Sequence, residues 1–314
     1  MENLIFSING VAPVFLIVFI GWWLKKRGLI NGNFINLSSK IVFSLAAPAL
    51  VFESLSRTDL QIMFSLKEIG FVYASVCFFF ALSWLLASIL SSSGRDRGAF
   101  IQGSFRSNFA IIGFALVANL FGTRALGKAA ILLAFVMPLY NVLAIVALTA
   151  PLHHEKKLGW KKILFEIITN PLILATAAAI PFSYFDIELP QFITTTVHSL
   201  AAITLPLALL GIGGSLDFES IKKESRLAIA ATVLKIVVIP ATITLLALRL
   251  GLTGEDLGVI FLLFATPSAI VSFVMAEAMG SNSALAGNII VMTTLGSIFT
   301  ISLGVFLLKS VGLF

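Results

Sequence analysis

Residues 105–114 read Phe105-Arg106-Ser107-Asn108-Phe109-Ala110-Ile111-Ile112-Gly113-Phe114, and Arg106 is the only charged residue between 98 and 121. A charge, a hydroxyl and an amide in succession do not suit a helix that faces lipid. At membrane depth such groups are tolerated only where they are buried in protein or line a wet cavity. A second stretch, Phe264-Ala265-Thr266-Pro267-Ser268-Ala269-Ile270-Val271-Ser272-Phe273, echoes the first. The two are expected to be halves of one site.

The surrounding chain identifies the setting. Of its 314 residues, 59% are hydrophobic and 11% charged, and the mean hydropathy is +1.05. Soluble proteins carry roughly 25% charged residues, so the composition implies an all-α integral membrane protein in a lipid bilayer. The net charge of +6 is expected to reflect basic loops on one side of the membrane, with no nucleic-acid partner. The single cysteine, Cys77, excludes an internal disulfide, and no thiolate metal site is present. The first apolar run has no basic region before it and basic residues after it, so it reads as a first span and not as a cleaved signal.

A crossing needs about 20 apolar residues. Ten such runs are readable: 4–24, 36–56, 67–91, 98–121, 125–150, 162–184, 192–214, 226–249, 256–279 and 284–309. Alternate loops hold Lys25, Lys26, Arg27, Arg95, Arg97, Lys156, Lys157, Lys161, Lys162, Lys222, Lys223 and Arg226. The other loops hold only Arg57, Lys67, Arg124, Lys128, Arg249 and Lys309. The positive-inside rule makes the first set cytoplasmic and turns both termini outward.

The chain also repeats itself. Pro13 and Pro171, Phe34 and Phe192, and Pro48 and Pro206 are each 158 residues apart. The two polar stretches match at 159, through Phe105 and Phe264, Ala110 and Ala269, Ile111 and Ile270, and Phe114 and Phe273. Ser-Leu-Ala-Ala at 44–47 and 199–202 repeats at 155 instead, a register that conflicts with the others. The reading is therefore two five-helix repeats, 1–155 and 156–314. Five crossings are an odd number, so the second repeat is inverted. The fourth and ninth spans are the interrupted ones. That pattern points to a secondary transporter with its site near the midplane.

The same offset pairs Asn108 with Pro267. Proline removes a backbone donor and unwinds the ninth span, and Asn108 competes for backbone bonds in the fourth. Half-helix N-termini aimed at the centre favour an anion. Candidate substrate-binding residues are Asn108, Pro267, Arg106, Ser107, Asn141, Lys235, Thr266, Ser268 and Ser272. Lys235 has no acid within a turn on its own helix, so it is expected to face the cavity or a carboxylate elsewhere. Lys40 and His198 are expected to sit at interfaces. Glu53 and Glu277 read as the only carboxylates within the membrane, both near span ends. His153-His154 lies in a loop among lysines and makes no convincing metal motif. No phosphate-binding glycine loop occurs, which argues against an ATP-driven pump, and nothing reads as an enzyme site or a bound cofactor.

Arg-Ser-Asn-Phe-Ala-Ile-Ile-Gly at 106–113, Asn-Pro-Leu-Ile at 170–173 and Ala-Thr-Pro-Ser at 265–268, on a ten-span plan, resemble the auxin efflux carrier family. That family holds plant PIN-type exporters and bacterial permeases for small organic acids such as malate and malonate. The resemblance implies a scaffold from spans 1, 2, 6 and 7. It implies a transport domain from spans 3–5 and 8–10, with spans 4 and 9 crossing at their breaks, in an elevator-like arrangement. The chain lacks the long central loop of many plant members and carries Asn108 where they commonly have proline, which favours a prokaryotic permease in a cell inner membrane. The expected activity is secondary transport of a small organic anion, a mono- or dicarboxylate, with proton or sodium coupling both open and a homodimer compatible. The rivals are a sodium-coupled symporter of the bile-acid type and a receptor that keeps the fold without transport.

Overall fold

The computed structural model describes residues 2–56, 65–152, 169, 171–185, 187–216 and 225–313. His153-His154 and Asn170 lie outside them, as does the side chain of Glu277. The described residues are helical throughout apart from one isolated backbone bridge. The helices are α1 (Glu2–Lys26), α2 (Gly32–Ile41), α3 (Ala47–Ser56), α4 (Leu66–Leu90), α5 (Gly94–Phe105), α6 (Phe114–Thr149), α7 (Pro171–Tyr184), α8 (Gln191–Ala202), α9 (Thr204–Ser215), α10 (Ser225–Val233), α11 (Ile239–Arg249), α12 (Gly254–Ala265), α13 (Val271–Ala278) and α14 (Ser283–Ser310). Three π-helical turns join neighbours: Val42–Ala46, Phe109–Gly113 and Leu234–Val238.

Among the described residues, seven continuous helices are long and apolar enough to cross a membrane. One of them, Phe109–Leu152, runs for 44 residues, about 66 Å if straight at 1.5 Å per residue. That is twice the ~30 Å hydrocarbon core. Gly122 resolves the excess: at φ 82, ψ −172 it leaves the helical region and turns the chain, a conformation open mainly to glycine. Three sequence-predicted spans have no continuous helix of their own among the seven: the fourth and ninth are each broken in the middle, the second half of the fourth running on into Phe109–Leu152, and the sixth is described as a helix only over Pro171–Tyr184.

Polar caps set the helix starts. Ser65 accepts from the Glu68 amide, Ser93 from Asp96 and Asn282 from Leu285, each satisfying an orphan donor of a first turn. The faces of α1 and α9 meet so closely that a Cβ on Gly213 would strike the Val18 carbonyl and one on Gly21 the Leu210 carbonyl. Small residues permit such backbone approach where helices associate in lipid. α3 packs on α7 and α8, while α5 packs on α4, α6, α10, α13 and α14. Large apolar side chains left exposed, such as Phe19, Leu85, Leu245 and Phe299, face outward as a bilayer requires.

Loop contacts sort into two ends. At one, Lys67 Nζ donates to the Leu250 carbonyl at 2.7 Å, the Gly254 amide donates to Leu313 at 2.6 Å, and Lys309 lies over Phe6. At the other, Ser281 Oγ donates to the Arg95 carbonyl at 2.6 Å and Asn282 Nδ2 to Asp96 at 2.9 Å.

Candidate functional site at two helix breaks

α5 stops at Phe105 and α12 at Ala265, and the next residues are extended: Arg106 at φ −85, ψ 115 and Thr266 at φ −61, ψ 150. Proline explains the second, because Pro267 drives its predecessor out of the helical region and has no N–H to continue the ladder. The first has no proline; Asn108 sits at φ −86, ψ 54. What holds both breaks open is each other. Ser107 and Ser268 form an antiparallel bridge. The Asn108 amide donates to the Pro267 carbonyl at 2.8 Å, and the Ala269 amide donates to the Arg106 carbonyl at 3.2 Å. The Ser268 amide donates to Thr293 Oγ1 on α14 at 3.1 Å. Backbone groups freed in a low-dielectric interior cost several kcal/mol if unpaired, and this exchange pairs three of the freed N–H groups and two of the freed carbonyls.

Two cations converge on the breaks. Lys235, fully buried, sits in the π-helical turn after α10. Its Nζ donates to Ser107 Oγ and to the Phe264 carbonyl, both at 2.7 Å. Two neutral oxygens thus stand where the sequence led us to expect either the cavity or a carboxylate elsewhere. Phe264 lies in the last turn of α12, where carbonyls lack intrahelical partners and the helix dipole is negative. Arg106 is 4% exposed. Its Nη2 donates to Asn141 Oδ1 at 2.9 Å and its Nη1 to the Met275 thioether at 3.0 Å. A thioether is a weak acceptor for a group with five donors, and among the described residues no carboxylate pairs with this guanidinium. Gln102 Nε2 points at the same sulfur at 3.4 Å, and Tyr140, packed on Phe105, faces Ser107 and Arg106.

Of the nine sequence-predicted residues, Arg106, Ser107, Asn108, Pro267, Ser268 and Lys235 meet at the breaks, and Asn141 joins them through Arg106. Thr266 turns back on its own helix, with Oγ1 donating to the Leu263 carbonyl. Ser272 is buried with no partner for its hydroxyl, as is the side chain of Ser268. The Asn108 side chain caps nothing and keeps 7% of its surface accessible.

Sequence reasoning missed Thr293, Gln102 and Met275, which become relevant only through packing. It also missed Asn288, buried in α14 with both amide atoms unpartnered. The structure adds a buried carboxylate that sequence reasoning passed over. Glu68 is 5% exposed and pairs with buried Lys128 at 2.9 Å, and Lys128 also contacts Asp256. Lys128 is therefore no free loop cation. The available signal was sidedness, since all three residues start spans on the side predicted as outer. His198 pairs with Glu53 at 2.9 Å with its ring largely exposed, as an interfacial residue should.

Comparison with known proteins extends this picture. The chain is 24% identical to an uncharacterized transporter of Methanocaldococcus jannaschii over 93% of this chain and 96% of that protein. It is 25% identical to a Rhizobium meliloti protein named "Putative malonate transporter", over 96% and 95% of the two chains. It is 21% identical to the uncharacterized transporter YfdV of Escherichia coli, over 98% and 99%. The profile of a family described as membrane transport protein matches residues 6–305. Nearly the whole chain is covered, the resemblance to the auxin efflux carriers holds, and the chain belongs to this family of membrane transport proteins, not to an enzyme family.

Proposed function

We propose that the protein is a secondary transporter of a small organic anion, a mono- or dicarboxylate, which binds at the paired breaks and crosses by alternating access. The observation that carries this reading is Arg106. A guanidinium so buried costs at least about 2.5–3.5 kcal/mol on membrane-insertion scales, and its protein partners are one amide oxygen and one thioether. It shares the Met275 sulfur with the Gln102 amide nitrogen, and α13, which supplies Met275, carries Ser272 a turn earlier with its hydroxyl unpartnered. A carboxylate would accept from the remaining Arg106 donors and from the Ser272 hydroxyl. The malonate name borne by the Rhizobium meliloti relative is compatible with that chemistry.

The wider architecture of the proposal is ten spans in two inverted five-helix repeats. It is supported by the turn at Gly122, by equivalent breaks 159 residues apart, and by loop contacts that sort into two ends. Packing of α1 on α9 and of α3 on α7 supports a scaffold of spans 1, 2, 6 and 7 beside a transport unit that carries the breaks.

Uptake and counterflow of radiolabelled dicarboxylates in proteoliposomes test the reading. One charge-assisted hydrogen bond is worth about 1.5–3 kcal/mol. At 1.4 kcal/mol per tenfold, Arg106→Gln should raise the half-saturating concentration at least about tenfold, and Asn141→Ala should move it the same way. Unchanged uptake in folded Arg106→Gln protein would exclude the site, and saturable binding without counterflow would make the protein a receptor.

A further inference from the structure

Lys235 places its ammonium between oxygens from both breaks. Its ammonium is fully enclosed and reaches two oxygens at 2.7 Å, the Ser107 hydroxyl on one break and the Phe264 carbonyl at the end of the other broken helix. No carboxylate among the described residues approaches it. Unwound carbonyls and half-helix C-terminal ends are the groups by which interrupted helices hold a coupling sodium ion. Hard monovalent cations and ammonium groups accept the same oxygen shell, since both are compact positive charges without lone pairs to offer.

We infer that Lys235 is a tethered counter-cation occupying the place of a coupling alkali ion between the breaks, so that the protein works without sodium there and acquires a monovalent-cation site when the ammonium is removed. The transport half of this statement rests on the function proposed above; the cation half rests on the geometry alone. Lys235 acts as a positioning residue. It neutralises the carbonyl end of α12 and ties it to Ser107, which keeps the Ser107–Ser268 bridge in register. The π-helical turn Leu234–Val238 shifts the helix register at the position where the side chain must reach both oxygens. Such turns are frequent at functional sites.

The test needs no substrate. Thermal unfolding of the purified protein is followed while sodium chloride replaces choline chloride at constant ionic strength, with potassium and methylammonium as parallel series. The wild type should show no saturable shift with any of the three. Lys235→Ala should unfold at a lower temperature and recover part of that loss saturably with sodium or methylammonium, whereas Lys235→Arg should need no cation. A saturable sodium shift in the wild type would overturn the proposal even if every variant failed to fold. So would a destabilised Lys235→Ala that no cation rescues, or one as stable as the wild type. If Arg106→Gln leaves anion uptake intact while Lys235→Ala gains cation dependence, the proposed anion site at Arg106 fails and this reading stands.

Discussion

Arg106 and Lys235 are both buried cations without acids, yet their surroundings set different roles. Lys235 places two of its three donors on strong oxygens, while Arg106, with five donors, meets one oxygen and a sulfur. A third buried cation, Lys128, is matched by Glu68 and Asp256. Breaking a buried pair by removing one partner costs about 3–5 kcal/mol, because the other charge is left stranded, whereas an apolar replacement of both is often close to neutral. Glu68→Leu alone should therefore lower the melting temperature markedly, and the double variant Glu68→Leu with Lys128→Met should regain much of the loss. Additive losses in calorimetry would show that the pair is not coupled.

At the scale of elements, the breaks are maintained by pairing between chain segments and not by proline alone. The two breaks differ: Pro267 accounts for one extended segment, while the other, at 106–108, has no proline and is held by the Asn108 to Pro267 and Ala269 to Arg106 hydrogen bonds. Directly opposed residues of an antiparallel pair have Cα atoms about 4.5–5.5 Å apart, within the range a disulfide spans. Ser107→Cys with Ser268→Cys, in a Cys77→Ser background, should cross-link under mild oxidation, seen as an intact peptide pair by mass spectrometry after proteolysis. Replacing Ser104 in place of Ser107 should give no cross-link, since Ser104 lies within α5 and bonds to its own Phe100 carbonyl. A cross-link also locks the two breaks together, so its effect on uptake reports whether they separate during transport.

For the whole molecule, sidedness is the property that joins sequence to function. The loop contacts place Lys67, Leu250, Gly254 and Leu313 at one end and Arg95, Asp96, Ser281 and Asn282 at the other. Basic-residue asymmetry predicts the first end to be outside. Thr253 and Asn33 are exposed at opposite ends. In intact cells of a Cys77→Ser background, Thr253→Cys should react with a membrane-impermeant maleimide, and Asn33→Cys should react only after permeabilisation. The reverse pattern would invert the orientation and put Glu68, Lys128 and Asp256 on the cytoplasmic side.

Composition and hydropathy are sums over neighbours along the chain, so the membrane setting, the apolar runs and the two polar interruptions were legible from residues alone. The offset between Asn108 and Pro267 was legible too, because spacing is a property of order. What the polar groups do with one another was not. Lys235 finds its oxygens 29 and 128 residues away along the chain, and Glu68 finds Lys128 at a separation of 60. No local pattern encodes such distances. The sequence by itself determined that charge lies at depth and where the helices break. Only the packed structure decided which cation closes a broken helix, which is ion-paired and which meets one oxygen and a sulfur. The physical reason is that a buried charge is defined by the partners that three-dimensional packing brings within hydrogen-bond reach.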